Sequence, residues 1–240
     1  MVVRSNRRQK MVKLNLIVEG GVYTENVSAE TANNAEALRE SLHKFFTRLL
    51  ARDDVEITIF MGKGYRNAVK QFIEASTPIG LFVDSDLPPK DKYLWFDKLI
   101  NNENINTNCY VEIPRHFSLI ENPQESYSVF FMIQEMEAWF LKQPFCLDKW
   151  AQKEGYTKKE TTNIAEHSIL KNKNIEEISK PSEKLKIIMK RFFVKNKKAA
   201  KYGKLKTAPG LLDALNVTAL ISLDDELRRF YLFVNKPVPR

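Results

Sequence analysis

The chain has 240 residues, of which 43% are hydrophobic and 28% are charged. This composition is typical of a globular protein and excludes an intrinsically disordered chain. No apolar run approaches the roughly 20 residues that a membrane-spanning helix needs. The two cysteines, Cys109 and Cys146, lack the spacing of a zinc site or of a disulfide framework. We therefore expect a cytoplasmic protein that does not interact with a membrane.

The formal net charge is +8, and it is unevenly distributed along the chain. Residues 141–210 hold 18 lysines and arginines against 7 aspartates and glutamates, a local net charge of +11. The other residues hold 20 against 23, a net charge of −3. A concentrated basic surface attracts a polyanion and releases its counterions, which predicts nucleic acid as a partner. The alternative is a lysine-rich solvated surface without a specific partner.

The first part of the chain alternates between short apolar runs and amphipathic segments. The short runs are apolar or β-branched and predict strands at residues 13–19, 55–60, 79–84 and 129–134. The third run is uniformly apolar, as in a strand that is buried on both faces. Apolar residues at helical spacing predict helices at residues 28–51, 66–76, 90–100 and 137–142. This alternation predicts an α/β fold, with a parallel sheet flanked by helices.

Beyond Pro144 the sequence becomes lysine-rich and helical in character. Ser182 is placed to cap a helix at residues 183–194, and two further helices are predicted at residues 208–215 and 224–234. The sequence thus predicts an α/β catalytic core at residues 1–143. A basic helical C-terminal extension, residues 144–240, is expected to pack on this core.

Acidic residues follow two of the predicted strands. Glu19 closes the first strand and precedes Gly20 and Gly21, while Asp84 and Asp86 close the third strand. Residues i and i+2 of an extended chain project to the same side, and functional groups of parallel sheets gather at the carboxyl ends of the strands. Carboxylate oxygens suit Mg²⁺ or Mn²⁺. Each motif alone is common in loops, but their combination predicts a divalent metal site.

Residues 16–20 (Leu-Ile-Val-Glu-Gly) and 81–86 (Leu-Phe-Val-Asp-Ser-Asp) resemble the two motifs of Toprim domains, which occur in topoisomerases, primases and overcoming-lysogenization-defect nucleases. The resemblance covers residues 13–100. It implies a Rossmann-like sheet that binds Mg²⁺, with Glu19 as the acid/base and Asp84 and Asp86 as metal ligands. The chain departs from the family pattern because Pro88 and Pro89 stand where a glycine is expected.

Residues 132–141 (Met-Ile-Gln-Glu-Met-Glu-Ala-Trp-Phe-Leu) and 180–184 (Lys-Pro-Ser-Glu-Lys) resemble motifs of a bacterial Toprim-like family of undescribed function. Its members are often encoded beside an ABC-type ATPase, in arrangements similar to anti-phage systems. This resemblance implies that Glu135 and Glu137 join the acidic site and that Lys180 or Lys204 contacts phosphate. The alternative for Glu137 is a favourable place in the first turn of a helix, and for residues 181–183 it is helix initiation.

The prediction for function is a metal-dependent nuclease that hydrolyses phosphodiester bonds of DNA or RNA, tRNA included, as the toxic effector of an ATPase-controlled anti-phage defence system. The candidate catalytic residues are Glu19, Asp84, Asp86 and Glu137, and Glu135 is a further candidate metal ligand. The candidate phosphate-binding residues are Lys63, Lys180, Lys204 and Lys206.

Two alternative functions remain open at this point. One is a non-catalytic subunit with a degenerate Toprim fold that binds nucleic acid or docks on an ABC-type or AAA ATPase. The other is a nucleotidyl transferase or primase-like enzyme that uses the same metal site. The oligomeric state is also open, with a homo-oligomer among the alternatives.

Overall fold

The computed structural model describes residues 11–21, 27–75, 79–92, 94 and 129–235. Four strands form an all-parallel sheet in the order β2-β1-β3-β4. They are β1 (Val12–Val18), β2 (Val55–Met61), β3 (Ile79–Asp84) and β4 (Val129–Met132). The predicted α/β architecture with a parallel sheet is confirmed. The helix predicted at 90–100 falls largely outside the described residues, and Pro89–Asp91 forms a 3₁₀ helix.

The helices of the described residues are α1 (Ala29–Leu50), α2 (Tyr65–Glu74), α3 (Ala138–Lys142), α4 (Phe145–Lys153), α5 (Pro181–Phe192), α6 (Lys204–Ala214), α7 (Val217–Leu223) and α8 (Asp225–Val234). Short 3₁₀ helices lie at Ile164–Glu166 and Ile175–Glu177. The basic segment, residues 141–210, is not entirely helical. Three short strands, β5 (Thr157–Lys158), β6 (Phe193–Lys195) and β7 (Lys198–Ala199), form a small antiparallel sheet within it.

Side chains that alternate along the strands build a core on each face of the parallel sheet. Ile17, Leu81 and Val83 pack on one face with Ala68 and Val69 of α2. Their neighbours in the strands point to the other face, where α1 and the helices after β4 complete a larger core; these neighbours are Leu16, Val18, Phe82 and Phe130. Burial on both faces explains the uniformly apolar sequence of β3.

The helices after β4 are tied to the sheet by buried polar contacts as well as by apolar packing. The carboxylate of Glu226 in α8 accepts the backbone N–H of Phe131 in β4 (3.0 Å) and pairs with Lys92 (2.6 Å) and Arg229 (2.7 Å). Burial alone would raise the pKa of Glu226, but attraction to Arg229 and Lys92 outweighs it and holds that pKa below its ordinary value. The Glu226 carboxylate therefore stays charged and anchors α8 to β4.

Residues on both sides of the predicted domain boundary contribute to one hydrophobic core. The core that begins at Leu16 and Phe82 continues through Phe140 to Phe192 and Phe230. In addition, the Arg48 guanidinium of α1 donates to the carbonyl of Leu212 at the end of α6 (2.6 Å). The division of the chain at residue 143 stays a prediction.

Gly62, which directly follows β2, allows the sheet to approach α2. Its N–H donates to the carbonyl of Val18 (2.8 Å), and a Cβ at this position would overlap the Cβ of Ala68 and lie 3.2 Å from the Val18 oxygen. We expect Gly62→Ala to lower the free energy of unfolding by about 1–3 kcal/mol, as overpacking in a core does.

Urea denaturation followed by circular dichroism measures this loss. Gly203→Ala is the matched control, because a Cβ at Gly203 meets nothing within 4 Å and the backbone there is extended (φ −143°). Equal stability of the two variants would contradict the close approach at Gly62.

Candidate active site

The four strands of the parallel sheet end at one edge, and the candidate acidic residues lie at this edge. From β1 the chain runs outward to β2 and then returns across β1 to β3 and β4. The carboxyl ends of β1 and β3 are therefore the point at which the strand order reverses, where open α/β sheets bind their ligands. Glu19 directly follows β1 and Asp84 ends β3. Two of the predicted site residues, Glu19 and Asp84, therefore lie at the ends of neighbouring strands at this point.

Glu19 is held against the end of β3. Its Oε2 accepts the backbone N–H of Asp84 (3.0 Å), and its own N–H donates to the carbonyl of Phe82 (2.7 Å). Burial, and then repulsion by the Asp84 carboxylate, raise the pKa of Glu19 to about 8. The Glu19 carboxyl therefore exchanges its proton close to neutral pH, which suits a group that moves a proton.

Both oxygens of the Asp84 carboxylate are hydrogen-bonded. Its Oδ1 accepts the N–H of Met136 (3.0 Å), and its Oδ2 pairs with Nζ of Lys204 (2.9 Å), the first residue of α6. Burial alone would lower the pKa of the Lys204 ammonium, but attraction to Asp84, Glu137 and Glu19 raises it above its ordinary value. Lys204, predicted as a phosphate contact, thus pairs with Asp84 and is attracted by two further carboxylates.

Glu137 is the most deeply buried of the candidates, with 1% of its surface exposed. Its Oε1 accepts the hydroxyl proton of Tyr202 (2.5 Å), and its Oε2 is buried without a hydrogen-bond partner among the described residues. Burial raises the pKa of Glu137; Lys204 opposes this effect and Asp84 adds to it. The side chain makes no capping bond at the start of α3. Helix initiation alone therefore does not account for it.

We call Glu19, Asp84, Glu137, Tyr202 and Lys204 the acidic cluster. The sequence predicted its three carboxylates and its lysine, but it gave no signal for Tyr202, whose hydroxyl reaches a carboxylate 65 positions earlier.

Asp86 departs from the geometry that the sequence suggested. The strand ends at Asp84, and Asp86 has a left-handed backbone (φ 52°), so the extended-chain rule for residues i and i+2 does not apply. Its N–H donates to the carbonyl of Gln134 (2.9 Å). Asp86 still lies close enough to add a small repulsion that raises the pKa of Glu19.

Ser85, between the two aspartates, fixes the ends of β3 and β4 to one another. Its hydroxyl is completely buried, accepts the N–H of Gln134 (2.8 Å) and donates to the carbonyl of Leu87 (2.6 Å). Sequence reasoning missed this role, because a serine between two aspartates is also typical of an ordinary loop.

Glu135 lines a neighbouring cleft together with Asp86 and Lys180. The cleft has a volume of about 540 Å³. The Oε2 of Glu135 accepts the N–H of Ser182 (2.6 Å). The prediction that Ser182 caps α5 is wrong, since the helix begins at Pro181 with Lys180 as its N-cap. Proline is favoured at the first helical position because its φ is fixed and it has no N–H to satisfy.

The remaining predicted lysines lie at different places around this edge. Lys63 follows β2, and its N–H donates to the carbonyl of Gly20 (2.7 Å), which brings it beside the end of β1. Lys206 is exposed and pairs with Glu30 at the start of α1 (3.5 Å). Of the four predicted phosphate contacts, Lys204 is the one whose ion pair with the acidic cluster the described residues show.

The cluster offers oxygen donors that are appropriate for a hard divalent cation. No group of three or more His, Cys, Asp or Glu side chains among the described residues is arranged to hold a metal ion. Mg²⁺, however, takes one or two carboxylates and completes its shell with water and phosphate. The partnerless Glu137 Oε2 and the Asp84 carboxylate fit that requirement. The metal itself stays a prediction.

Comparison of the chain with protein-family models, curated proteins and solved structures gives no match. The resemblance to Toprim domains therefore stays a prediction. None of the helices formed by the described residues combines the length and apolar character needed to cross a bilayer.

Proposed function

We propose that this protein is a metal-dependent nuclease that hydrolyses phosphodiester bonds in DNA or RNA. The observation that carries the proposal is the acidic cluster at the reversal point of the sheet, where Lys204 pairs with Asp84 and is also attracted by Glu137 and Glu19. Carboxylates that hold Mg²⁺ beside a proton-exchanging group are one arrangement that catalyses the hydrolysis of a phosphodiester.

Each residue of the cluster has a distinct part in this proposal. Asp84 and Glu137 would hold Mg²⁺, which supplies polarisation of the scissile phosphate and stabilisation of the leaving oxygen. Glu19, whose pKa lies near 8, accepts a proton from the attacking water when its carboxyl is ionised. When substrate binds, the Lys204 ammonium would exchange its ion pair with Asp84 for one with a phosphate oxygen. Tyr202 fixes the Glu137 side chain through its hydroxyl.

The basic segment supports a polyanionic substrate. Its net charge of +11 over residues 141–210 attracts phosphates, and contacts to phosphates position a strand without reading its sequence. The regulatory part of the prediction, an ATPase partner and an anti-phage role as toxic effector, rests on the sequence resemblance alone.

A non-catalytic nucleic-acid-binding subunit is the second candidate function. The pairing of Lys204 with Asp84 favours it, because an internal ammonium already neutralises the carboxylate that would hold the metal. Under this proposal the cluster is a buried ion pair that stabilises the edge of the sheet, and no divalent cation is needed.

One experiment separates the two functions. The purified chain is incubated with end-labelled DNA and with total tRNA, in Mg²⁺, in Mn²⁺ and in EDTA, and Mn²⁺ binding is measured by isothermal titration calorimetry. The nuclease proposal expects cleavage that EDTA stops, together with saturable Mn²⁺ binding. Nucleic-acid binding without cleavage and without Mn²⁺ binding would support the non-catalytic subunit.

A further inference from the structure

A second cleft lies between α5 and residues 198–202 and has a volume of about 520 Å³. Four exposed lysines line it: Lys186, Lys190, Lys198 and Lys201. The other lining residues are Ala199, Ala200 and Tyr202. We call this the lysine cleft. Its described lining contains no acidic residue, and its small alanines leave room for a ligand to approach the backbone.

The positive charge of the lysine cleft is largely uncompensated. Lys186 pairs with Glu183 (2.8 Å), but among the described residues no carboxylate pairs with Lys190, Lys198 or Lys201. Lys186 and Lys190 are four residues apart on α5, so their ammonium groups lie on one face of the helix and repel each other. An anion that spans several of these lysines would relieve the repulsion.

Tyr202 connects the lysine cleft to the acidic cluster. Tyr202 lines the cleft and also donates to Glu137. Two residues later in the chain, Lys204 holds Asp84. The pKa of Lys186 is raised, first by its bond to Glu183 and further by the carboxylates of Glu135 and Glu137. The Lys186 ammonium is therefore close enough to Glu137 of the acidic cluster to be attracted by it.

We propose that the lysine cleft binds the phosphate backbone of one nucleic-acid strand and leads that strand to the acidic cluster. This inference deepens the proposed nuclease function and rests on it. A cleft of this volume admits the backbone of one strand, whereas a whole duplex would contact only its rim. Regularly spaced phosphates match several ammonium groups at once, and such contacts bind without regard to sequence.

Fluorescence anisotropy in EDTA, with labelled single-stranded DNA of about 20 nucleotides, tests the proposal. At about 50 mM salt, counterion release at each phosphate contact raises the affinity for a single strand by a factor of about 8. Lys190→Glu/Lys198→Glu is therefore expected to weaken binding about 60-fold and to make the log–log salt slope less negative by about 1.4. The same measurement with a single-stranded RNA of equal length shows whether the cleft binds DNA or RNA more tightly.

Lys149→Glu/Lys173→Glu is the matched control, since both lysines are exposed, lie in the same basic segment and do not line the cleft. Circular dichroism and the melting temperature verify that both variants are folded. An equal loss of affinity in the two variants would overturn the proposal in favour of an unspecific surface charge. The proposal also fails if the wild type does not bind either strand, or if polyglutamate competes as well as DNA does.

Failure of the cleft and failure of the nuclease are distinguishable, because binding is measured without metal. Cleft-dependent binding by a chain that never cleaves would refute the nuclease and keep the strand-binding cleft. Cleavage that persists while charge reversal in the cleft changes neither affinity nor salt slope would refute the cleft alone.

Discussion

Replacing Asp84 by asparagine is expected to lower metal-dependent cleavage by about 10²- to 10³-fold while the protein stays folded. The asparagine can still accept the N–H of Met136 through its carbonyl oxygen, but its amide group faces the ammonium of Lys204, where two donors meet. The same change removes one of the two carboxylates proposed to hold Mg²⁺. We therefore expect Mn²⁺ binding to be lost together with the activity.

The Asp84→Asn variant should also be less stable than the wild type, by about 1–3 kcal/mol, because Lys204 loses its hydrogen-bonded counter-ion. Lys204→Met, combined with Asp84→Asn, should restore part of this stability, since the double variant contains no uncompensated ammonium. Urea denaturation of the wild type, both single variants and the double variant measures this coupling.

Asp148→Asn provides a matched control for Asp84→Asn. Asp148 also pairs with a lysine, Lys158 (3.0 Å), but it lies on α4 and outside the acidic cluster. This control should keep wild-type cleavage and Mn²⁺ affinity. Full activity in Asp84→Asn, with its stability lowered as expected, would show that Asp84 is only a structural partner of Lys204.

Glu19→Gln is expected to reduce cleavage by about 10²- to 10⁴-fold, the usual contribution of general acid–base catalysis. The glutamine is nearly isosteric and keeps an oxygen that can accept the N–H of Asp84. The fold should therefore be retained, and the loss should appear in kcat with little change in the affinity for the substrate. Lost Mn²⁺ affinity in this variant would instead identify Glu19 as a metal ligand.

The raised pKa of Glu19 gives a second measurement that needs no substrate. The folded protein keeps this proton up to about pH 8, whereas an unfolded glutamate has a pKa of 4.5. Because the folded state binds more protons between these values, the contribution of Glu19 to stability is fully present below pH 4.5 and is lost as pH rises through 8. In EDTA the free energy of unfolding should fall across this window, by at most about 1.4 kcal/mol per pH unit.

Glu19→Gln should flatten this decline, since glutamine does not titrate. Glu56→Gln, on the exposed face of β2, is the control and should keep the wild-type pH dependence. Urea denaturation at several pH values measures the free energies. An unchanged slope in Glu19→Gln would mean that Glu19 does not hold its proton in the folded state.

The parallel sheet could be predicted from the sequence because its strands are short apolar runs between turns and helices. The strand ends followed from the same pattern, since Glu19 and Asp84 each close a predicted strand. Glu137 was included for a different reason, the resemblance of residues 132–141 to a family motif. Because parallel strands end at one edge of the sheet, the proximity of Glu19 and Asp84 could be predicted without information about contacts between distant residues.

The partners of these carboxylates could not be predicted in the same way. Lys204 pairs with Asp84, which lies 120 positions earlier in the chain. A local sequence pattern cannot predict a contact between residues so far apart. The small sheet of β5, β6 and β7 also gave no signal, because strands of two or three residues are too short to show alternation. The direction of the Asp86 side chain was predicted from an extended backbone, but the backbone of Asp86 is left-handed.

The late position of Tyr202 and Lys204 in the chain has a consequence for biosynthesis. A ribosome adds about 5–20 residues per second, so Asp84 leaves it on the order of ten seconds before Lys204, with which it pairs. During this interval the nascent chain carries the carboxylates without their tyrosine and lysine, and without the α8 helix that Glu226 anchors to β4. A translation product that stops before Tyr202 would therefore lack a formed cluster, because only a chain that extends past Lys204 contains every residue of the site.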